Sequence, residues 1–339
     1  MRRDRRARQV GARQGLSAEL ERTFLRQADA CERSGSHLYA EVCRRLAGEP
    51  EVEAVVGDAR WDAPIRLLAA LHYLQLADGV DPWRSLPAVL QEHREELARF
   101  VAEQDVQTNE VGRCIALLPA FLALARANGP RIDLLELGPS AGLNLVFDRY
   151  RYRYGAGSWG RRDSPLQLAA EERTPVPGEL LGVELEVVRR RGIDRRPVDV
   201  TGDEGVRLLS SFVWADQPQR LVRLLQAIEV VRADPPELVT GDYVEALPDL
   251  LADRDPEALT VVFQTASTQY LAAERYETLR RTLVDASHEA PLGWVSTRRH
   301  DEDDRRDLDG YALELALWPE QDRAVVARMG YHGEWIDWR

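Results

Sequence analysis

The chain has 339 residues, enough for two domains or for one large α/β domain with an appendage. Its 57 acidic and 45 basic residues give a net charge of −12, which argues against nucleic acid as a partner because phosphate binding needs a cationic surface. The longest apolar run, residues 115–125, contains Pro119 and is too short to span a bilayer, so we expect no membrane segment.

The N-terminal residues 1–14 are rich in arginine and almost free of apolar side chains. This composition predicts a disordered arm and, since an apolar core segment is missing, no secretion signal.

Cys31, Cys43 and Cys114 lack the paired spacing of metal sites and disulfide frameworks. The acidic run after His300 is interpreted as a solvated loop. We therefore expect free buried thiols, no metal and a cytoplasmic location.

Residues 15–128 show only helical periodicity. Apolar side chains recur at spacings of three and four, and no window alternates every second residue. Gly129 and Pro130 then end the last helical pattern. We therefore predict an all-helical N-terminal domain over residues 15–128. The helical segments are residues 20–28, 38–46, 65–76, 86–101 and 111–127.

From residue 129 to residue 339, short apolar runs alternate with helical patterns. This alternation predicts a Rossmann-like α/β domain, with a mainly parallel sheet that is covered by helices on both faces. The last two runs are joined by a shorter link and are expected to pair antiparallel. Residues 151–180, rich in glycine and proline, are expected to leave the core. The predicted strands are residues 132–137, 183–193, 237–241, 259–263, 292–296, 311–318 and 331–338.

The stretch Ile132-Asp-Leu-Leu-Glu-Leu-Gly-Pro-Ser-Ala-Gly-Leu-Asn-Leu145 carries the clearest chemical signal. A predicted strand ends here in a turn of small residues, which include Gly138, Ser140 and Gly142, and a helix begins after it. Backbone N–H groups at such a helix start favour anionic or ribose-bearing ligands. The same letters also fit G-x-S-x-G, the nucleophile elbow of serine hydrolases.

A serine hydrolase would use Ser140 as its nucleophile, with Asp242 and then His300 or His332 to complete a catalytic triad. A nucleophile elbow follows a sheet that is already built on its N-terminal side, and its oxyanion loop comes from an earlier strand. Here the residues before the motif are predicted to be helical, and no such loop precedes it. We therefore place this interpretation second.

The run Glu136-Leu-Gly-Pro-Ser-Ala-Gly142 resembles the first motif of class I S-adenosylmethionine-dependent methyltransferases, which usually reads E/D-x-G-x-G-x-G. Ser140 stands where that motif has its middle glycine. The resemblance implies a class I methyltransferase-type sheet and S-adenosylmethionine as the cofactor. Glu136 would hold an ammonium group of the ligand, and Gly138, Ser140 and Gly142 would form the loop beneath it.

Two later acids fit the same resemblance. Asp194 ends the second predicted strand, where these methyltransferases place the carboxylate that binds the ribose hydroxyls. Asp242 ends the third, where a Gly-Asp pair meets the adenine amino group. Asp194 lies farther from Gly142 than the usual separation of about 20 residues. An excursion over residues 151–180 accounts for the excess, and otherwise Asp148 or Asp163 takes the ribose role.

Further candidates flank this loop. Asn144 closes the loop or meets a ligand carboxylate. Asn109 and Arg113 lie one helical turn apart and are expected to face the ligand crevice. In the alternative interpretation, Thr108 or Asn109 is the N-cap and Arg113 is a surface residue. Gln264, at the end of the fourth predicted strand, and His332, in the last one, complete the catalytic candidates. His332 is the candidate general base.

At a finer grain the chain resembles a bacterial family of unknown function over most of residues 15–339, which implies a methyltransferase-like fold. We predict a methyltransferase that acts on a small molecule, because an activated sulfonium needs positioning more than acid–base chemistry. A hydrolase using Ser140 and a non-catalytic binding module remain alternatives. The resemblance to the bacterial family rests on Thr108-Asn-Glu-Val-Gly-Arg113, Leu135–Leu145, Phe147-Asp-Arg-Tyr-Arg-Tyr152, Arg191-Gly-Ile-Asp194 and the stretch around Trp214.

Overall fold

The computed structural model describes residues 17–57, 60–299 and 310–339. The predicted arm over residues 1–14 and the acidic run from His300 lie outside the described residues. The chain divides into two compact units, which are described separately. The first consists of Met1–Val106 with Trp214–Gln217, and the second of Gln107–Val213 with Pro218–Arg339.

The first unit is helical, as the periodicity predicted. Each helix turns an apolar stripe inward, and the fully buried Leu20 and Phe24 show this on the first helix. The predicted helix over residues 86–101 is divided at His93. The helices are α1 (Ala18–Arg33), α2 (His37–Leu46), α3 (Glu51–Val56), α4 (Ala63–Asp78), α5 (Leu86–Glu92) and α6 (Arg94–Glu103).

The second unit also contains helices, and α7 (Cys114–Asn128) is the most buried of them. The stretch Val111–Asn128 has 18 residues and is apolar enough to cross a membrane, but 78% of it is buried inside the structure. This is the burial of a core helix in a globular protein. The domain boundary predicted at residue 128 coincides with the end of α7. The second compact unit begins earlier, at Gln107, and therefore includes α7. The later helices are α8 (Asp203–Ser211), α9 (Pro218–Ala233), α10 (Tyr243–Ala252) and α11 (Ala273–Ser287).

The strands of the second unit form two sheets within the described residues. The large sheet has the order β5-β12-β11-β10-β9-β8-β1-β6-β7, and the small sheet has the order β3-β2-β4. The strands are β1 (Arg131–Leu137), β2 (Arg151–Tyr154), β3 (Gly157–Gly160), β4 (Gln167–Leu168), β5 (Glu171–Thr174), β6 (Glu186–Asp194), β7 (Glu237–Thr240), β8 (Leu259–Gln264), β9 (Leu292–Thr297), β10 (Gly310–Trp318), β11 (Gln321–Gly330) and β12 (Trp335–Trp338).

Five neighbouring strands of the large sheet, in the order β9-β8-β1-β6-β7, are parallel. Their order indicates where a ligand would bind. The chain runs outward from β1 to β6 and β7, then returns to β8 and β9 on the other side of β1. The strand order therefore reverses between β1 and β8. In open α/β sheets, ligands lie outside the carboxyl ends of the strands at such a reversal.

The C-terminal part of the sheet differs from its prediction. Residues 321–330, expected to be a link, form β11, which lies between β10 and β12 and runs antiparallel to both. The two predicted strands therefore do not pair with each other. The sequence did not predict this strand because Arg323 and Arg328 are charged. In the structure, Arg323 pairs with the buried Glu314 of β10 at 3.2 Å. His332 lies in the turn before β12 rather than within a strand.

Most of the glycine-rich excursion after β1 forms the small sheet, while its strand β5 pairs with β12 at the edge of the large sheet. The expectation that residues 151–180 leave the core is wrong, because the excursion packs on the core through tyrosines. Tyr152 and Tyr154 are buried, and their hydroxyls donate hydrogen bonds to the carbonyls of Phe147 and Ile115 at 2.8 and 2.7 Å. The excursion lies between β1 and β6 along the chain, so it accounts for the long separation between the loop glycines and Asp194.

Candidate functional site

The turn after β1 is held in the left-handed backbone region at alternate residues. The φ angles of Gly138, Ser140 and Gly142 are 73°, 56° and 74°. Such angles cost a residue with a Cβ atom about 1–2 kcal/mol, whereas glycine adopts them readily. A Cβ atom on Gly138 would also lie 2.6 Å from the Cβ atom of Ser267. Ser140 therefore occupies a position whose geometry suits glycine.

Asp194, at the end of β6, holds this turn from the neighbouring strand. Its Oδ2 accepts a hydrogen bond from the backbone N–H of Ser140 at 2.9 Å, and its Oδ1 accepts one from the N–H of Arg196 at 2.9 Å. A carboxylate offers about four acceptor positions, so both oxygens retain capacity for a ligand. The structure thus brings Ser140 and Asp194 together at the carboxyl edge of the sheet.

The two alternative acids lie away from this edge. Asp148 forms an ion pair with Arg190 at 2.6 Å. Asp163 is exposed and pairs with Arg161 at 3.0 Å in the excursion. Because neither acid ends a strand of the large sheet, Asp194 is the better placed of the three to meet a ligand in the crevice.

Glu136, near the end of β1, is buried beside the turn. Its Oε1 accepts a hydrogen bond from Nδ2 of Asn144 at 3.4 Å, and its Oε2 has no partner among the described residues. The Oδ1 atom of Asn144 accepts from the thiol of Cys114 at 3.2 Å. Burial raises the pKa of Glu136 to about 8, because the charged form loses its hydration. A buried carboxyl oxygen without a donor suits a cationic ligand group.

Asp242 follows β7 and caps helix α10. Its Oδ1 accepts from the N–H of Val244 at 2.9 Å and from the guanidinium of Arg275 at 2.6 Å. These two donors fix the orientation of the carboxylate. Its Oδ2 makes no hydrogen bond within the described part of the chain. Asp242 therefore retains an acceptor at the same edge of the sheet, two strands away from β1.

The segment before α7 reaches the same turn. The Oδ1 atom of Asn109 accepts from the N–H of Leu143 at 3.3 Å. Helix capping is performed by Glu110, which accepts from the N–H of Gly112 at 3.0 Å at the start of the 3-10 turn Val111–Arg113. The interpretation of Asn109 as the N-cap is therefore wrong, because its side chain is committed to the loop after β1.

Glu110 also organises a buried charged cluster that sequence reasoning missed. Its Oε2 accepts from Nε of Arg220 at 2.8 Å, and Arg223 lies 3.6 Å from its Oε1. The Nδ1 atom of His332 lies 3.6 Å from Oε2. Burial, then the charges of Arg220, Arg113 and Arg223, lower the pKa of His332 well below its ordinary value. The ring is therefore neutral at pH 7.

The fourth parallel strand contributes Gln264 and the residues after it. Gln264 is fully buried, and its Nε2 donates to the carbonyl of Thr297 at 2.9 Å, while its Oε1 has no partner in the described part of the chain. The hydroxyl of Ser267 donates to the carbonyl of Leu137 at 2.7 Å. Ser267 therefore links the turn after β8 to the end of β1, which no local sequence signal indicated.

The structure therefore brings most of the predicted site residues to one edge of the sheet. Asn144, Asp194 and Asn109 contact the turn or Glu136 directly, whereas Asp242 follows β7 and Gln264 ends β8. The three thiols are buried and free, as expected. Within the described ranges, groups of three or more His, Cys, Asp and Glu residues suited to a metal ion are absent.

Comparison with known proteins gives a family. A family model described as "Uncharacterized protein conserved in bacteria (DUF2332)" matches residues 21–338. A search of curated proteins found no match. The matched region covers nearly the whole chain and includes every residue of the candidate site. The prediction of an uncharacterised bacterial family is thereby confirmed, and the chain belongs to this family.

Proposed function

We propose that the carboxyl ends of β1, β6 and β7 line a crevice that binds S-adenosylmethionine, and that the protein transfers its methyl group to a small molecule. The observation that carries the proposal is the hydrogen bond of 2.9 Å between the N–H of Ser140 and Asp194. It joins a small-residue turn after the first strand to an acid at the end of the second. The turn lies beside the strand reversal and Asp194 lies one strand away from it, in the region where a nucleotide-like ligand is expected.

The donors and acceptors of the crevice fit the cofactor group by group. The unpartnered oxygen of Glu136 suits the ammonium of the methionine part. Asp194 retains acceptors for the vicinal ribose hydroxyls, and Asp242 retains one for the adenine amino group. Ser140 has the left-handed φ that glycine adopts readily, so its backbone fits the position where the motif usually has glycine.

When bound, the cofactor supplies a methyl group that is already activated by its sulfonium. The residues of this chain then need to bind, orient and exclude water, and alignment alone can supply much of the rate enhancement. A buried Glu136, a turn fixed by Asp194 and a neutral His332 are consistent with that division of work. We also propose a cytoplasmic location.

Calorimetry with S-adenosylmethionine and S-adenosylhomocysteine tests the proposal. At pH 8.5, where the Glu136 carboxyl is mostly charged, wild-type protein is expected to bind both. Asp194→Asn keeps an acceptor for the turn but removes the charge, so we expect about 10-fold weaker binding. Asp163→Asn, on the exposed excursion, is the control and should bind as wild type. Absence of heat with the wild-type protein would contradict the proposal.

A serine hydrolase is the second candidate, and one observation favours it. Ser140 has the positive φ that a strained nucleophile elbow requires. Its hydroxyl, however, has no hydrogen-bond partner in the part of the chain that the structure describes, so no described imidazole activates it. Ser140→Gly separates the two functions. A methyltransferase keeps its cofactor binding in this variant, whereas a hydrolase loses labelling by a fluorophosphonate probe.

A non-catalytic binding module is the remaining alternative. It predicts that the wild-type protein binds S-adenosylmethionine but transfers no methyl group to any member of a broad acceptor panel. Methyl transfer to any acceptor, measured with isotope-labelled cofactor, excludes the module. In that assay Ser140→Gly should retain activity because its hydroxyl takes no part in the proposed reaction.

A further inference from the structure

Arg113 is a buried cation that has no acidic partner among the described residues. Its side chain is 4% exposed. Its Nε donates to the carbonyl of Tyr331 at 3.0 Å, and its Nη1 donates to the carbonyl of Thr265 at 3.1 Å. The guanidinium also lies 5.3 Å from the ring centre of Tyr311. Among the described residues, no carboxylate lies within 4.0 Å of it, and its Nη2 makes no hydrogen bond.

Three other buried arginines among the described residues are neutralised. The buried Arg66, Arg191 and Arg220 each contact a buried carboxylate. The pairs are Arg66 with Asp62 at 2.9 Å, Arg191 with Asp133 at 3.0 Å, and Arg220 with Glu110 at 2.8 Å. Burial of a charge without a counter-charge is costly. Within the described part of the chain, Arg113 therefore lacks the carboxylate partner that these three arginines possess.

The position of Arg113 points to the crevice as the source of that partner. Thr265, which it contacts, directly follows β8 on one side of the strand reversal, and Glu136 lies near the end of β1 on the other. Burial raises the pKa of Glu136, and the charge of Arg113 offsets part of this rise. The two opposite groups thus act on each other electrostatically across the proposed binding site.

We propose that Arg113 binds a ligand carboxylate in this crevice. A carboxylate carries the single negative charge that one guanidinium balances, and the unused Nη2 supplies the donors. A doubly charged phosphate fits less well, because Glu136 lies nearby and the same cation would leave part of its charge uncompensated. The carboxylate belongs either to the methionine part of the cofactor or to the methyl acceptor. The inference rests on the proposed function.

Three calorimetric titrations distinguish these sources in wild type and in Arg113→Gln. The ligands are S-adenosylhomocysteine, 5′-methylthioadenosine, which lacks the aminocarboxylate, and 4-hydroxybenzoate added to protein saturated with S-adenosylhomocysteine. If the carboxylate is the cofactor's, Arg113→Gln weakens S-adenosylhomocysteine about 10- to 100-fold and leaves methylthioadenosine unchanged. If the carboxylate is the acceptor's, Arg113→Gln loses only the binding of 4-hydroxybenzoate. Arg281→Gln, on the exposed face of α11, is the matched control.

The inference is overturned if Arg113→Gln changes no titration, or weakens methylthioadenosine as much as S-adenosylhomocysteine. If wild type binds neither nucleoside, the proposed function fails, and acetate, benzoate and 4-hydroxybenzoate alone then test Arg113. If wild type binds these carboxylates and Arg113→Gln does not, the proposed carboxylate site is supported. If wild type binds none of them, the proposed site is rejected.

Loss of the guanidinium also removes hydrogen bonds to Thr265 and Tyr331, so folding needs a separate control. Thermal denaturation is recorded for each variant. Arg113→Lys keeps the cation but loses the planar fork, and we expect intermediate affinity for the same carboxylate ligand. In wild type, 4-hydroxybenzamide replaces 4-hydroxybenzoate as an uncharged ligand of the same shape. Equal affinities for the acid and the amide exclude an acceptor carboxylate, whatever the variants do.

Discussion

At the scale of single residues, burial changes the chemistry of the side chains beneath the turn. Glu136 is fully buried and its neighbour Asn144 supplies one weak donor. The carboxyl is therefore protonated at neutral pH in the absence of a ligand, since its pKa is raised to about 8. Binding of a cation beside Glu136 would favour the charged form and release a proton. The same residue thus links ligand binding and folding stability to pH.

Glu136→Gln is expected to alter the pH dependence of stability. In the unfolded chain Glu136 has a pKa near 4.5, so between pH 4.5 and about 8 the folded state holds a proton that the unfolded state releases. Folding free energy from this group is therefore lost as the pH rises through that window. Gln cannot titrate. The stability of the variant relative to wild type should therefore increase from pH 5 to pH 8, by on the order of a few kcal/mol. A tenfold difference in proton affinity between the folded and unfolded states corresponds to about 1.4 kcal/mol.

Urea denaturation at pH 5, 6, 7 and 8 measures this difference. Other titrating groups, among them His332, are present in both proteins and cancel. A stability difference that stays constant across the four pH values would contradict the raised pKa. A difference that becomes smaller as the pH rises would mean that folding lowers the pKa of Glu136 instead of raising it.

The sequence predicted the local part of the site and missed the long-range part. Gly138 and Gly142 were recognisable because a turn between a strand and a helix selects small residues within a few positions. Asp194 followed from its place at a strand end. The pair of Glu110 and Arg220 joins positions far apart along the chain, and one sequence carries no record of which distant charges meet.

At the scale of elements, the 3-10 turn before α7 packs backbone against backbone. A Cβ atom added to Gly112 would lie 2.1 Å from the carbonyl oxygen of His332, and one added to Gly333 would lie 2.1 Å from the carbonyl oxygen of Gly112. The turn between β11 and β12 therefore touches the Thr108–Arg113 segment directly. This contact explains how Glu110 and His332 come to share a cluster.

Gly112→Ala should be strongly destabilising. The added methyl group meets main-chain atoms that cannot rotate away, so the two segments must separate. Overpacking of this kind costs about 2 kcal/mol or more. Gly182→Ala is the control, because a Cβ atom there has no neighbour within 4 Å. Chemical denaturation that shows equal stability for both variants would refute the close contact, and Gly182→Ala itself should stay within about 0.5 kcal/mol of wild type.

The predicted elements were those with a strong apolar pattern. The central strands β1, β8 and β9 are buried along nearly their whole length and read as apolar runs. Strand β11 was not predicted because charged residues flank its short apolar run, residues 324–327, so that the segment resembled a link. Leu143–Arg149, expected to be an α-helix, forms 3-10 turns with a kink at Val146. Tertiary packing decided both cases.

At the scale of the whole molecule, the chain order does not follow the two compact units. Residues 214–217 interrupt the second unit between α8 and α9 but complete the helical unit. Asp216 accepts hydrogen bonds from the hydroxyl of Ser36 at 2.7 Å and from the N–H of Leu38 at 3.1 Å, at the start of α2. Trp214 stacks on Tyr39 with ring centres 5.9 Å apart. A four-residue insertion is too short to show any periodicity, so composition could not reveal it.

Asp216→Ala should therefore loosen a helical unit to which it is remote in sequence. The substitution removes a carboxylate that accepts from a backbone N–H in the first turn of α2, and loss of such a cap costs about 1 kcal/mol. Local opening becomes about fivefold more frequent, because 1.4 kcal/mol corresponds to a factor of ten. Hydrogen exchange read by mass spectrometry should show faster exchange in peptides from α1 and α2, with β1 and β8 as internal references. Asp29→Ala, an exposed acid on α1, should leave the rates unchanged. If exchange accelerates equally in β1 and α2, or in neither, then Asp216 does not stabilise the helical unit in the way that its hydrogen bonds require.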